Sequence, residues 1–184
     1  MINLPALRAS LAPTVCILLC LTGCDRPELM PWHEELLQGE FSSKATRDIN
    51  SFADYLLLED AVFTELEERI YADSDSGPEH AIKRYSKGSL ADPGQRQPNW
   101  NRSFELPGDT AIGGVLLLHG MSDSPYSLRA LGEALQQRGY HVVGLRMPGH
   151  GTIPSGMLYL QWQEIAAVVR LGMLHLAQRV PGKP

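Results

Sequence analysis

The sequence predicts an α/β fold, a small parallel sheet flanked by helices and preceded by a helical extension. Three observations carry this. Residues 115–118 form a continuous apolar run of strand length that ends in a His-Gly pair, and residues 140–145 form a second strand-like run. Between them, residues 125 to about 138 have helical spacing. A longer helical pattern follows over about 158–178. Strand–helix–strand–helix with near-continuous apolar strands predicts a right-handed βαβ unit with both sheet faces covered.

The 184 residues allow one modest domain with an appendage. A composition that is 43% hydrophobic and 20% charged belongs to a globular chain, not a disordered one. The formal net charge of -5, with no basic stripe to gather phosphates, excludes nucleic acid as an expected partner. A dinucleotide-binding βαβ unit is excluded as well, because no G-x-G-x-x-G follows the first strand.

At the N-terminus, Arg8 precedes a mostly apolar stretch over residues 9–22. It is too short for a permanent membrane span and has the length of a signal-peptide apolar region. It ends Leu21-Thr22-Gly23-Cys24, which resembles a bacterial lipobox. The resemblance implies removal of residues 1–23 and acylation of Cys24 as the mature first residue, so that the membrane becomes a partner. Cys16 and Cys20 would leave with the signal. The mature chain would then hold no disulfide, no thiol nucleophile and no Cys/His metal cluster, and neither cofactor nor metal is expected. Asp25 resembles the signal that retains lipoproteins in the inner membrane of enteric bacteria. The expected location is the bacterial cell envelope, facing the periplasm, with the outer membrane as the alternative.

Residues 24–98 are expected to form a tether and a helical extension. Pro27 and Pro31 limit the tether to local helix over 32–37. Ser51 and Asp54 then form a capping box, with Phe52, Tyr55, Phe63, Leu66 and Ile70 on one helical face. Glu65, Glu67 and Glu68, followed by Arg69, read as a solvated face and not as an acidic site. Residues 73–98 form an irregular surface link with a short extended piece at 83–85. Asn101-Arg102-Ser103 has the N-glycosylation pattern, which a bacterial lipoprotein would not use. A short strand at 104–106 closes on Pro107-Gly108.

The regular part follows as a strand over 112–118 and then a helix capped by Ser124, with Pro125 at its first position. Leu128, Leu131 and Leu135 form its inward stripe, and Gly139 ends it. After the 140–145 strand comes a Gly/Pro-rich loop over 146–156. The last helix carries Trp162, Ile165, Ala166, Val169, Met173 and Leu176 on its apolar face, until Pro181-Gly182 stops it.

Motifs over about residues 99–184 carry a family resemblance. His119-Gly120-Met121 is followed by Ser122-Asp123-Ser124-Pro125-Tyr126, Arg129 and Gly139-Tyr140, and then by Arg146-Met147-Pro148-Gly149-His150-Gly151-Thr152. Together they resemble the α/β-hydrolase superfamily, in particular the serine hydrolases that include carboxylesterases, monoacylglycerol lipases and the serine aminopeptidase group. The resemblance implies that the Met121 backbone N–H donates to an oxyanion and that Gly120 permits close approach of a substrate carbonyl. It implies loop support from His119, Gly120, Gly149, His150 and Gly151, with neither histidine the catalytic base. Ser122 and Ser124 are not expected nucleophiles, since neither stands in G-x-S-x-G, and that motif occurs nowhere in the sequence. In the superfamily order, nucleophile, acid and base all follow the oxyanion loop. The expectation is therefore that 99–184 is the N-terminal part of the domain, truncated before the nucleophile elbow. The full-length protein would hydrolyse a small ester, lipid or acyl substrate through serine, and the 184 residues alone would be inactive. The alternative is a non-catalytic, membrane-anchored binding or scaffold lipoprotein.

Overall fold

A computed structural model describes residues 28–44 and 48–184. The expected signal segment and Cys24 lie outside these residues. Among the described residues no helix is long and apolar enough to cross a membrane.

The chain enters through a four-residue helix, α1 (Pro31–Glu34), and reaches α2 (Phe52–Leu66). Ser51 starts α2 as expected: its hydroxyl accepts the Asp54 N–H, and the Asp54 carboxylate accepts the Ser51 N–H at 2.9 Å. A wider turn, Glu67–Tyr71, extends the helix. Three short strands follow, β1 (Phe104–Leu106), β2 (Gly113–Leu118) and β3 (Tyr140–Leu145). Between β2 and β3 a tight turn at Pro125–Leu128 runs into α3 (Arg129–Gln136), and after β3 the chain passes Pro154–Tyr159 into α4 (Trp162–Arg179).

The sheet order is β1-β3-β2. β2 and β3 are parallel, with Gly113 opposite Tyr140 and Leu118 opposite Leu145, whereas β1 is antiparallel to β3. The result is a mixed, open α/β sheet flanked by helices. β3 is central and alternates between two cores, as the two-residue strand period requires. Val142 joins Phe104 and Leu117 under α3, while Val143 and Leu145 join Phe52, Tyr55, Val168 and Leu176 under α2 and α4. Val142, Val143 and Leu145 are fully buried, a contribution of roughly 1.5–3 kcal/mol each. Gly144 lies between them because the Phe104 ring covers it. A Cβ there would sit 2.2 Å from that ring.

The structure corrects several expectations. The 112–118 strand is not fully buried. β2 is an outer strand of the sheet, and Leu118 is 44% exposed. Over the turn and α3 the inward face is Leu128, Gly132 and Leu135, because Gly132 seats against Phe104 and Leu106, and Leu131 points outward at 50% exposure. In α4 the buried line is Val168, Gly172 and Leu176, so Trp162 and Met173 lie on the exposed side. Apolar residues on more than one face left two stripes to choose from, and the small Gly172 fits against Leu116. After α4 the chain returns to the sheet, where the Pro184 carbonyl accepts the Gly114 N–H at 2.8 Å alongside β2.

The part of the presumed tether that the structure describes is docked. Leu37 and Phe41 are buried, and Leu37 joins Val62, Phe63, Leu66 and Ile153 in a third core. Glu65 is not a solvated residue, since its carboxylate accepts the Gln38 and Gly39 N–H groups and meets Arg69. Residues 83–85 form turns and no extended piece, with the Tyr85 ring stacked on Trp32.

Candidate active site

The His-Gly pair stands where β2 ends, so the chain leaves the sheet edge into a tight turn. The Gly120 carbonyl accepts the Asp123 N–H at 3.2 Å, and Ser122, in the third position of that turn, has φ 58°. A left-handed third position with an ordinary second one is the pattern of a type II turn. The same Gly120 carbonyl lies 2.9 Å from His119 Nδ1, which must therefore carry the proton and donate it. His119 Nε2 is left as an acceptor and takes the Met147 N–H at 3.1 Å. The ring is buried, and burial pushes its pKa below the ordinary histidine range, in keeping with a neutral imidazole.

This pattern fixes one peptide plane. The Gly120 carbonyl and the Met121 N–H belong to the same trans peptide and point in opposite directions. With the carbonyl held by two donors, the Met121 N–H is turned the other way, and it has no partner among the described residues. The Met121 side chain is 82% exposed and plays no part in a core. The backbone around Gly120 is open, with nothing within 4 Å of where its Cβ would stand.

The loop after β3 faces this turn. Gly149 and Gly151 both have φ +73°, a conformation that favours glycine, and a Cβ on Gly149 would meet the Gly156 carbonyl at 2.6 Å. His150 is buried with its Nδ1 2.8 Å from the Pro148 carbonyl, so Nδ1 is the donor, and the ring packs edge-on against His119 at 5.0 Å. His150 Nε2 and Thr152 Oγ1 are buried without partners among the described residues. Both residues line a cavity of about 390 Å³ that Ser122, Asp123 and Arg84 also line. The structure thus brings His119, Gly120, Met121, Gly149, His150 and Gly151 into one region. Cys24 lies outside the described residues.

One reading of a hydroxyl group changes. The Ser124 side chain does not cap its helix; it donates to Asn101 Oδ1 at 2.6 Å. Asn101 is no open glycosylation acceptor. It is buried, and its Nδ2 donates to the Gly151 carbonyl at 3.1 Å, so one side chain ties the turn to the loop.

The least expected feature is Arg146, fully buried at the end of an apolar strand. Its Nε donates to the His150 carbonyl at 2.7 Å, and its two terminal nitrogens reach Glu40 at 3.0 and 2.5 Å. Its own carbonyl accepts the Tyr55 hydroxyl at 2.7 Å. Its N–H donates to Ser103 Oγ, which in turn donates to Glu59. Burial opposes the guanidinium charge, but Glu40, Tyr55 and Glu59 together offset this and hold its pKa above the ordinary arginine range. Burial pushes the Glu59 carboxyl up instead. A charged residue ending an apolar strand was the available sequence signal for Arg146. Glu40, more than a hundred positions away, had none.

Among the described residues no group of histidine, cysteine and carboxylate side chains could hold a metal ion. No protein-family model matches the chain. A thermostable monoacylglycerol lipase from Bacillus sp. (strain H-257) is 41% identical over 66 residues, which span 36% of this chain and 26% of that lipase. A solved structure described with the metagenome-derived lipolytic enzymes LipS and LipT superposes with a TM-score of 0.41 at 32% identity. It covers 44% of this chain and 32% of that one. The chain is thus a distant, partial match to an esterase/lipase-type hydrolase, and it spans about a quarter of the length of the curated lipase that it matches.

Proposed function

We propose that this chain carries the oxyanion-binding half of a serine ester or acyl hydrolase of carboxylesterase or lipase type. The observation that supports it most is the Met121 N–H. It is free of any partner among the described residues, while the carbonyl end of its peptide is pinned by His119 and Asp123. A preorganised donor of this kind stabilises the charge that develops on a substrate carbonyl oxygen, and one such donor is worth about 10²–10³ in rate. In this reading His119 and Gly120 shape the turn, and Gly149, His150 and Gly151 shape the facing loop. Residues 99–184 supply the N-terminal part of the catalytic domain. Acylated Cys24 anchors the chain in the bacterial envelope, facing the periplasm.

Acyl transfer through serine also needs a nucleophile, a base and an orienting acid. No G-x-S-x-G occurs in the 184 residues, so in this reading they do not hydrolyse ester by themselves. The test is to translate the DNA following codon 184 in all three frames and to treat both the extended and the 184-residue protein with a fluorophosphonate probe. A G-x-S-x-G in the extension and labelling of the extended protein alone are expected. Absence of the motif favours a non-catalytic anchored lipoprotein, and labelling of the 184-residue chain overturns the assignment of the nucleophile. Metabolic labelling with an alkyne fatty acid tests the anchor, with loss of label in Cys24→Ser expected.

A further inference from the structure

We propose that Glu40, in the N-terminal segment outside the α/β unit, is a positioning residue for the Met121 N–H. The inference rests on the reading of that N–H as the oxyanion donor, and it adds a part of the chain that no motif of the 99–184 region contains.

The connection is continuous. The Glu40 carboxylate holds both terminal nitrogens of Arg146, and the third guanidinium nitrogen holds the His150 carbonyl. The planar, bidentate pairing leaves the guanidinium one orientation, and the loop after β3 closes around it. Met147, the residue next to Arg146, presents its N–H to His119 Nε2. The opposite ring nitrogen, Nδ1, donates to the Gly120 carbonyl, which belongs to the same peptide plane as the Met121 N–H. Each link is directional. The His119 bonds, moreover, select a single tautomer, so a ring that tilts or flips loses both at once.

Glu40 is itself held by its surroundings. Phe41, its neighbour, is buried against Tyr55, and the Ser155 hydroxyl donates to the Glu35 carbonyl at 2.5 Å. Arg69 reaches the Leu36 carbonyl from the outer side of the same segment. Among the fastenings of the segment, Arg69 bears on no site residue, whereas Glu40 leads to the turn. This difference separates a positioning role from simple docking.

The experiment uses the full chain, labelled with ¹⁵N and solubilised in mild detergent, and compares wild type with Glu40→Gln, Glu40→Asp and Arg69→Ala. Imidazole ¹⁵N shifts read the His119 tautomer, amide shifts read Met121, and hydrogen exchange reads Met147. Wild type is expected to show a single Nδ1–H tautomer. Glu40→Gln, which places an amide N–H₂ against the guanidinium, is expected to shift or broaden the His119 and Met121 signals and to lose at least about tenfold exchange protection at Met147. Glu40→Asp, which keeps the charge, is expected to recover part of each. Arg69→Ala is expected to leave all three unchanged. Unchanged His119 and Met121 signals in Glu40→Gln overturn the proposal, and so does an equal effect of Arg69→Ala. Should Glu40→Gln not fold, wild-type signals in Glu40→Asp overturn it. None of these readouts depends on hydrolysis, so a failed probe experiment leaves the result interpretable.

Discussion

Replacing Arg146 by methionine removes a guanidinium that is wholly inside the protein and makes three side-chain hydrogen bonds, one to His150 and two to Glu40. Methionine fills most of the space but leaves the Glu40 carboxylate without its partner. Removing one member of a buried ion pair costs about 3–5 kcal/mol. The Glu59 carboxyl, which burial pushes toward the neutral form, also loses the nearby positive charge that opposes this shift. For a chain of this size each kcal/mol moves the melting temperature by about 2–4 °C, giving a fall of roughly 6–20 °C. Arg146→Lys keeps the charge and loses the fork, with about 1–3 kcal/mol expected. The double variant Glu40→Leu/Arg146→Met removes the stranded carboxylate and is expected to recover at least half of the loss. Urea unfolding followed by tryptophan emission measures all three, with Trp32 reporting from the docked segment itself. A cost of Arg146→Met below about 1 kcal/mol, or simple additivity in the double variant, would refute the reasoning that this pair fastens the segment to the loop.

Other perturbations have equally definite signs. His119 has a pKa below the ordinary histidine value, so its contribution to stability is complete above that value and is lost as pH falls through the depressed one. Stability measured from pH 7.5 downward should therefore fall below about pH 6.5, and the fall should be smaller in His119→Gln. Glu59 has the opposite sign. Its raised pKa favours the folded state at low pH and is a growing liability as pH rises, so Glu59→Gln should gain on wild type with increasing pH. Glu59→Ala, which strands the Ser103 N–H, should cost about 1–3 kcal/mol at any pH. Gly144→Ala forces a methyl into the Phe104 ring and should cost about 1–3 kcal/mol by calorimetry, with part of it recovered by Phe104→Leu.

The order of elements was legible because it depends on local signals. Apolar runs marked β2 and β3, Ser51 with Asp54 marked the start of α2, and Gly139, at φ +90°, marked the end of α3. Which face of a helix turns inward was less legible. In α3 and α4 that choice was made by glycines, Gly132 against Phe104 and Gly172 against Leu116, at positions where a hydrophobicity pattern registers nothing. The turn and loop of the candidate site could be read from their glycines and histidines. Their supports could not. Asn101, Ser103, Glu59 and Glu40 are ordinary polar residues in sequence, and only the fold brings them to Ser124, Gly151 and Arg146. The same holds for residues 28–44. Two prolines nearby suggested a tether, whereas burial of Leu37 and Phe41 makes the segment part of the core.

The Met121 N–H is the group on which the functional reading rests, and it can be deleted almost alone. Met121 occupies the second position of a type II turn, where proline is well accommodated, so Met121→Pro removes the N–H while keeping the turn. In an extended protein that carries the proposed nucleophile, ester hydrolysis by Met121→Pro should show kcat reduced by about 10²–10³, with KM little changed. Met121→Ala, which keeps the N–H, should stay within about threefold of wild type. Wild-type kcat in Met121→Pro, with the fold intact, would contradict the assignment of this turn as an oxyanion site.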